Sequence, residues 1–478
     1  MGREIARTVF TEADFARFRD RLRAETARLE AFALAGGFSD ERFVAGFELE
    51  AWLLDHSGYP SPINEAYLGH LNSPWVVPEL SRYNVELNVA PLPLGPGALG
   101  ELERALAATW ASSQAAAHDM DAVLAMIGIL PTIRQRDLSL AHISALNRYA
   151  ALNEQILRQR GGRPIHIRIA GRQDSLDILC PDVMLEAATT SFQVHLQVPE
   201  PASPRYYNAS LISCAPLLGV GANSPYLFRR RLWEETRIPL FEQAVEAGGY
   251  GGLGDRRVRR VGFGLGYVGG RLTELFRENL DCFPVLMPVQ IDGDAEPFAH
   301  LRLHNGSIWR WVRPLIGFDA AGRAHVRIEQ RVLPSGPSLV DMLANAAFYY
   351  GLVRALAEAH TPPEADLGFE AAKANAYAAA RDGLGAEVVW LDGRRHALRG
   401  LVLDELLPLA RQGLAAYGLA DAEAGGYLDI VGLRVRTCQT GAVWQVRRLE
   451  RRGGDVVRMM ADYLENQRSG APVHEWEI

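Results

Sequence analysis

A chain of 478 residues that is 48% hydrophobic and 22% charged can bury the core of one elaborate domain or two. Its net charge of −7 excludes nucleic acid as the main partner, because duplex binding needs a basic face. Cys180, Cys214, Cys282 and Cys438 lie far apart with no Cys-x-x-Cys spacing, which excludes a disulfide framework and predicts reduced thiols in a cytoplasmic protein.

The opening Met1-Gly2-Arg3-Glu4-Ile5-Ala6 lacks the apolar run of a signal peptide, and no stretch approaches an uncharged membrane span. Thr11 with Asp14 predicts a capping box for a helix whose Phe15, Phe18, Leu22, Leu29 and Phe32 form an apolar stripe. In Gly46-Phe47-Glu48-Leu49-Glu50-Ala51-Trp52, a strand would point Glu48 and Glu50 to one face among apolar neighbours. Two such carboxylates repel each other and lose hydration, which is relieved by protonating one or by placing a cation between them. That segment alone fits equally well an edge strand whose acidic face is in water.

The alternation recurs. Val85-Glu86-Leu87-Asn88-Val89 adds Glu86 and Asn88, with Glu79 just before it. Residues 97–128 read as a long helix ending at Gly128 and Pro131, and 139–160 as another. In Ile165-His166-Ile167 the histidine alternates with isoleucines and reads as a structural residue. Phe192-Gln193-Val194-His195-Leu196-Gln197 puts Gln193, His195 and Gln197 on one strand face. Helical patterns cover about 205–218 and 226–247, with Arg229, Arg230 and Arg231 on a solvated face or, less favoured, at a nucleotide phosphate.

The glycine-dense segment 248–254 reads as a surface loop, with a lid over the site as the alternative. Gly264-Leu265-Gly266-Tyr267-Val268-Gly269 fits the dinucleotide-binding pattern, with Asp292 only roughly placed as the closing acid. Val326-Arg327-Ile328-Glu329-Gln330-Arg331 aligns a carboxylate between two guanidinium groups. A helix is predicted from Pro337 to about His360, and 361–478 reads as a helical appendage containing the box Thr440-Gly441-Ala442-Val443-Trp444-Gln445. Arg436 or Gln445 is the candidate to reach from that box toward an amine substrate.

Taken together, the four alternating segments predict one antiparallel sheet with a polar concave face. Hard oxygen ligands select magnesium or manganese, which bind substrate phosphates alongside a few carboxylates, and arginine gives bidentate contacts to a moving phosphoryl group. Lys373 is the one lysine among fifty basic residues, so P-loop, protein-kinase and pyridoxal chemistry, which all need a placed lysine, are excluded. Phosphates here must meet arginine, metal or backbone.

These boxes, in this order, resemble glutamate-cysteine ligase family 2, the carboxylate-amine ligases of the glutamine synthetase superfamily. Gly46-Phe47-Glu48-Leu49-Glu50 resembles the first metal strand, Glu79 with Glu86-Leu87-Asn88 the second carboxylate pair, and Phe192-Gln193-Val194-His195 the nucleotide-side strand. Asn305-Gly306-Ser307-Ile308-Trp309-Arg310-Trp311-Val312-Arg313 resembles an upstream arginine strand, and Arg327-Ile328-Glu329-Gln330-Arg331 the last metal and phosphate strand.

The resemblance implies an α+β fold: a glutamine synthetase-like curved antiparallel sheet flanked by helices in a catalytic domain of residues 1–360, with a helical C-terminal region, 361–478, packed on it. It implies ATP and Mg²⁺ (or Mn²⁺), phosphorylation of a carboxylate, in this family usually the side chain of glutamate, and displacement of phosphate by an amine such as cysteine. On that pattern Glu48, Glu79 and Glu86 hold one metal, and Glu50, Glu329 and Gln193 a second. Arg310 and Arg331 neutralise the γ-phosphoryl group in flight, while His195, Arg327 and Arg313 contact the nucleotide or substrate. Many superfamily members carry histidine where this chain has Gln193, which weakens that ligand. Partners are small molecules, with no nucleic acid and no membrane; a homo-oligomer is left open. Two rival readings are a non-catalytic nucleotide-binding regulator on the same fold and a dinucleotide-binding oxidoreductase.

Overall fold

The computed structural model describes residues 4–39, 43–248, 250–251, 257–291 and 297–478. Helix α1 (Glu12–Leu34) starts at the predicted capping box: the Thr11 hydroxyl accepts from the Asp14 N–H, and the Asp14 carboxylate accepts from the Thr11 N–H at 2.8 Å. Phe18, Leu22, Leu29 and Ala33 are buried along one side of it.

Eight strands form one antiparallel sheet: β1 (Val44–Leu54), β2 (Val76–Pro78), β3 (Asn84–Asn88), β4 (Leu92–Pro93), β5 (Val123–Ala125), β6 (Phe192–Val198), β7 (Val312–Phe318) and β8 (Ala324–Gln330). Their order is β7-β8-β6-β1-β3-β2, with β4 and β5 pairing the two ends of β1, and the sheet curls into a half-barrel. The four segments whose alternation predicted a common sheet are thus its centre.

Alternation assigns the two faces. Phe47, Leu49, Val85, Leu87, Phe192, Val194, Leu196, Val326 and Ile328 form the apolar face, each buried. That face packs on helix α2 (Leu339–Ala357), which is buried along most of its length; the Phe47 and Tyr350 rings stack 6.4 Å apart, and the Tyr350 hydroxyl donates to the His195 carbonyl at 3.0 Å. Helices α3 (Leu407–Ala416) and α4 (Asp421–Thr437) form the next layer. Gly351 of α2 and Gly413 of α3 let the two backbones touch: a Cβ on either would collide with a carbonyl of the other helix.

Several local expectations need correction. The helix predicted over 97–128 is Ala98–Asp119; Asp121 then turns at φ 55°, and Val123, Leu124 and Ala125 leave the helix to pair with Leu54, Leu53 and Trp52. The helix predicted over 139–160 shrinks to Asn147–Gln159. Residues 205–218 split at Ser213 into Ser203–Ile212 and Cys214–Gly221. Within 226–247 only Arg237–Ala244 is helical, because Phe228 and Arg229, at φ 52° and 62°, close a hairpin between Tyr226–Leu227 and Arg230–Arg231. Arg229 and Arg230 are exposed, as a solvated face requires. His166 lies on a surface hairpin with its Nε2 2.6 Å from Asp177.

The dinucleotide reading finds no support in the topology. The strand before Gly264 has two residues, Val261–Gly262, and the helix after it is Thr273–Cys282, outside any alternating parallel array. The Gly269, Gly270 and Arg271 N–H groups all donate to the Glu274 carboxylate, at 3.0, 2.7 and 2.9 Å, so this turn binds its own side chain. Asp292 and most of segment 248–254 lie outside the described residues. Among the described residues no helix is long and apolar enough to cross a membrane.

Candidate active site

The polar face of the sheet collects residues from five strands through register alone. Glu48 stands opposite Asn88 on one side and Gln193 on the other; Glu50 stands opposite Glu86. His195 faces Glu329, and Glu329 faces Arg313. With about 3.4 Å of rise per residue, Glu48 and Glu50 leave β1 roughly 7 Å apart on the same side, and they enter two different acidic groups.

The first group is Glu48, His195 and Glu329, whose ligand-capable atoms lie within 4.8 Å of one another. His195 Nε2 is 3.2 Å from Glu48 Oε1 and 3.7 Å from Glu329 Oε1, yet both ring nitrogens lack a hydrogen-bond partner among the described residues. Burial opposes the charge on Glu48, but the adjacent imidazole outweighs it and holds the carboxyl at about 2. Glu329 is likewise buried, and Arg313, Arg331 and His195 hold it well below the usual carboxylate range. Arg313 forms a bidentate pair with it at 2.6 and 2.9 Å.

The second group is Glu50, Glu79 and Glu86, again within 4.8 Å. Here the electrostatics reverse. Burial and the Glu79 charge push Glu50 up to about 7. Burial with the Glu48 and Glu79 charges pushes Glu86 well up, and burial raises Glu79. Three carboxylates that resist ionising together form a place that a proton or a cation stabilises. Each group offers hard oxygen donors, one with an added imidazole nitrogen, a donor set that suits magnesium or manganese. An imidazole between carboxylates whose two nitrogens have no hydrogen-bond partner among the described residues, and a trio of carboxyls that stay raised despite the charges of Arg148, Arg237 and Arg331 nearby, both fit a bound divalent cation.

This grouping differs from the expected one. Glu48 groups with His195 and Glu329, and Glu50 with Glu79 and Glu86: Glu48 lies beside Gln193 of β6, two residues from the His195–Glu329 pair between β6 and β8, whereas Glu50 lies opposite Glu86 of β3. His195, expected near the nucleotide, sits between two carboxylates. Gln193 does not aim an oxygen at either group: its amide donates to Glu50 Oε1 at 3.0 Å, while its oxygen accepts from Arg331. Arg331 also donates to Glu329 at 3.1 Å, so Gln193 and Arg331 tie the two groups together. Arg310 is buried against Glu278 and Asn279, at 2.9 and 2.8 Å, and shares no hydrogen bond with the acidic groups. Arg327 lies on the polar face opposite Gln197, with its buried Nε unpartnered.

Several neighbours escaped sequence reasoning. Glu186, in the turn Met184–Ala188, senses Glu79, Glu50 and Arg331, and burial plus the two acidic charges push its carboxyl well up. A lone carboxylate in Val183-Met184-Leu185-Glu186-Ala187-Ala188 was the available signal. Arg237 is buried with its Nε 3.2 Å from Glu235 and donates to the carbonyls of Arg331 and Val332; nothing in its local pattern marked it. The Ser191 N–H donates to Glu50 Oε2 at 2.6 Å, and the Ser335 hydroxyl to the Glu50 carbonyl at 2.7 Å.

The C-terminal box reaches the site at second hand. Thr440 caps the helix Gly441–Arg451, and Gln445 donates to Asn223 Oδ1 at 2.8 Å. Asn223 in turn donates to the Ser335 carbonyl at 2.8 Å, behind Glu50. Arg436 is exposed, and the Gln445 amide is held by Asn223, so neither points at a substrate from here.

The model of glutamate-cysteine ligase family 2 matches residues 44–462. The chain belongs to that family. Membership of glutamate-cysteine ligase family 2 supports a ligase of the carboxylate-amine kind. Among solved structures, it is similar to a glutamate-cysteine ligase from Francisella tularensis in complex with AMP, at TM-score 0.55 and 14% identity over 91% of this chain and 90% of that one. It is also similar to a bifunctional glutathione synthetase from Pasteurella multocida, at TM-score 0.51 and 13% identity over 93% of this chain and 55% of that one. At these identities the likeness concerns the fold. No curated protein matches the sequence.

Proposed function

We propose that this family 2 chain joins the side-chain carboxylate of glutamate, or a close analogue, to an amine through an acyl phosphate, using ATP and Mg²⁺ or Mn²⁺. The observation that carries the reading is the pair of three-residue acidic groups on one sheet face, bridged by Gln193 and Arg331 and bordered by Arg313 and Arg327. Glu48, His195 and Glu329 would hold one ion, and Glu50, Glu79 and Glu86 the other. Ions there would neutralise triphosphate charge and draw electrons from the phosphoryl group to be transferred.

The chain's own groups do the rest. Arg313 and Arg331 keep Glu329 ionised and fixed, so the first group is preorganised. Arg327, which has no hydrogen bond or ion pair among the described residues, is the guanidinium available to a phosphate oxygen. An oxygen of the donor carboxylate attacks the γ-phosphorus, and ADP leaves. The amine then attacks the acyl carbon; inorganic phosphate leaves and the nitrogen loses a proton. The acceptor is cysteine or another amine.

Coupled phosphate release across the amino acids, singly and in pairs, tests this. The expected result is Mg²⁺-dependent release that needs glutamate or an analogue together with an amine. Release that ignores both amino acids and metal contradicts it.

A further inference from the structure

The polar face continues past the acidic groups along β8, where alternation brings Arg327 and then His325 to the side of Glu329. His325 is 8% exposed, and its Nδ1 has no hydrogen-bond partner among the described residues. It stands opposite Gly317 of β7, and a Cβ on that glycine would run into the imidazole Nε2 and Cε1. The ring therefore lies across the neighbouring strand in space that only glycine leaves open, and glycine inside a strand is otherwise unfavourable. Burial, with the Arg327 charge beside it, pushes the imidazole down to about 4, so at neutral pH it offers one N–H and one lone pair.

Charge gives the face a direction. Glu79, Glu86 and Glu186 cluster around Glu50, so on that side a phosphate is met only through a bound cation; beyond Glu329 lies Arg327, a guanidinium that attracts phosphates directly. A triphosphate tail starting at the Glu48, His195 and Glu329 group therefore runs toward Arg327. Four residues of strand, about 13 Å, separate Glu329 from His325, a distance suited to phosphates followed by a nucleoside. We propose that His325 hydrogen-bonds the nucleoside part of the nucleotide, with Arg327 on the intervening phosphates. This rests on the ATP-dependent reading above and names the residue that recognises the nucleoside.

The experiment is calorimetric binding of ADP and of inorganic tripolyphosphate, each with Mg²⁺, to the wild type and to His325→Ala, His325→Asn and Arg327→Ala. Loss of one buried hydrogen bond predicts that His325→Ala weakens ADP about tenfold while tripolyphosphate changes by less than about twofold. Arg327→Ala weakens both ligands, and His325→Asn, which keeps a donor and an acceptor, recovers part of the ADP affinity. Equal losses for both ligands with His325→Ala, or no loss for either, overturn the proposal. In histidine-labelled wild type, the His325 ring resonances shift with ADP and not with tripolyphosphate; an unmoved ring overturns it without any variant having to fold. Wild type that binds neither ligand defeats the ATP-dependent reading itself, a result distinct from an insensitive His325.

Discussion

Glu48 and Glu50 leave the same face of β1 into opposite electrostatic surroundings: His195 holds the first at about 2 against its burial, while burial and Glu79 push the second up to about 7. One strand thus presents a carboxylate that is already paired and one that waits for a cation or a proton.

Neutralising them should have opposite structural effects. In chelator, Glu50→Gln removes a buried repulsion and raises the unfolding temperature, whereas Glu48→Gln leaves His195 without its nearest acid and lowers it. Both variants should lose phosphate release by about a hundredfold or more. Calorimetric unfolding in chelator, beside the release assay, checks the pair.

The same shift predicts how metal-free stability depends on pH. Glu50 moves from an ordinary 4.5 to about 7 on folding, so between those values the folded chain binds more protons than the unfolded one. Stability of the metal-free protein must then fall as pH rises through that window, and the raised Glu79 and Glu86 add to the fall. Mg²⁺, which binds the ionised form, should flatten or reverse the slope. Unfolding temperature against pH, with and without Mg²⁺, reads both.

Arg313 and Glu329 are both largely buried, 12% and 1% exposed, and share two short hydrogen bonds. Arg313→Ala removes the bidentate partner of a buried carboxylate, leaving it the single Arg331 contact at 3.1 Å, and should cost about 3 kcal/mol in urea unfolding. Arg313→Lys, which cannot pair in bidentate fashion, should recover only part of this.

Gln445 and Asn223 link the C-terminal helix Gly441–Arg451 to the strand end behind Glu50. Gln445→Ala and Asn223→Ala should each lower stability by about 1 to 3 kcal/mol. In a double-mutant cycle the two losses should not add, because they remove the same contact.

What the chain reveals in one dimension follows from periodicity. The period of two placed Glu48, Glu50, Glu86, His195, Arg327 and Glu329 on one face of one sheet, since each strand is apolar on its other side. Which carboxylate joins which group was not legible, because that depends on strand order and register: β6 and β8 bring His195 and Glu329 near Glu48, while β3 sets Glu86 opposite Glu50. Helix ends failed where the apolar pattern continued through a change of structure, as from Ala117 through Asp121 to Leu124, or where a left-handed pair closed a hairpin, as at Phe228 and Arg229. Glu186 and Arg237 were hidden because each belongs to an element with no polar alternation, and only the tertiary fold turns them inward.

The most direct measurement counts bound ions. Titration of the metal-free protein with Mn²⁺, followed by the paramagnetic signal of the free ion, should show two sites per chain, one for each acidic group. Glu329→Gln should remove one and Glu86→Gln the other. A chain that binds no Mn²⁺, or a site count unmoved by both substitutions, would contradict the account.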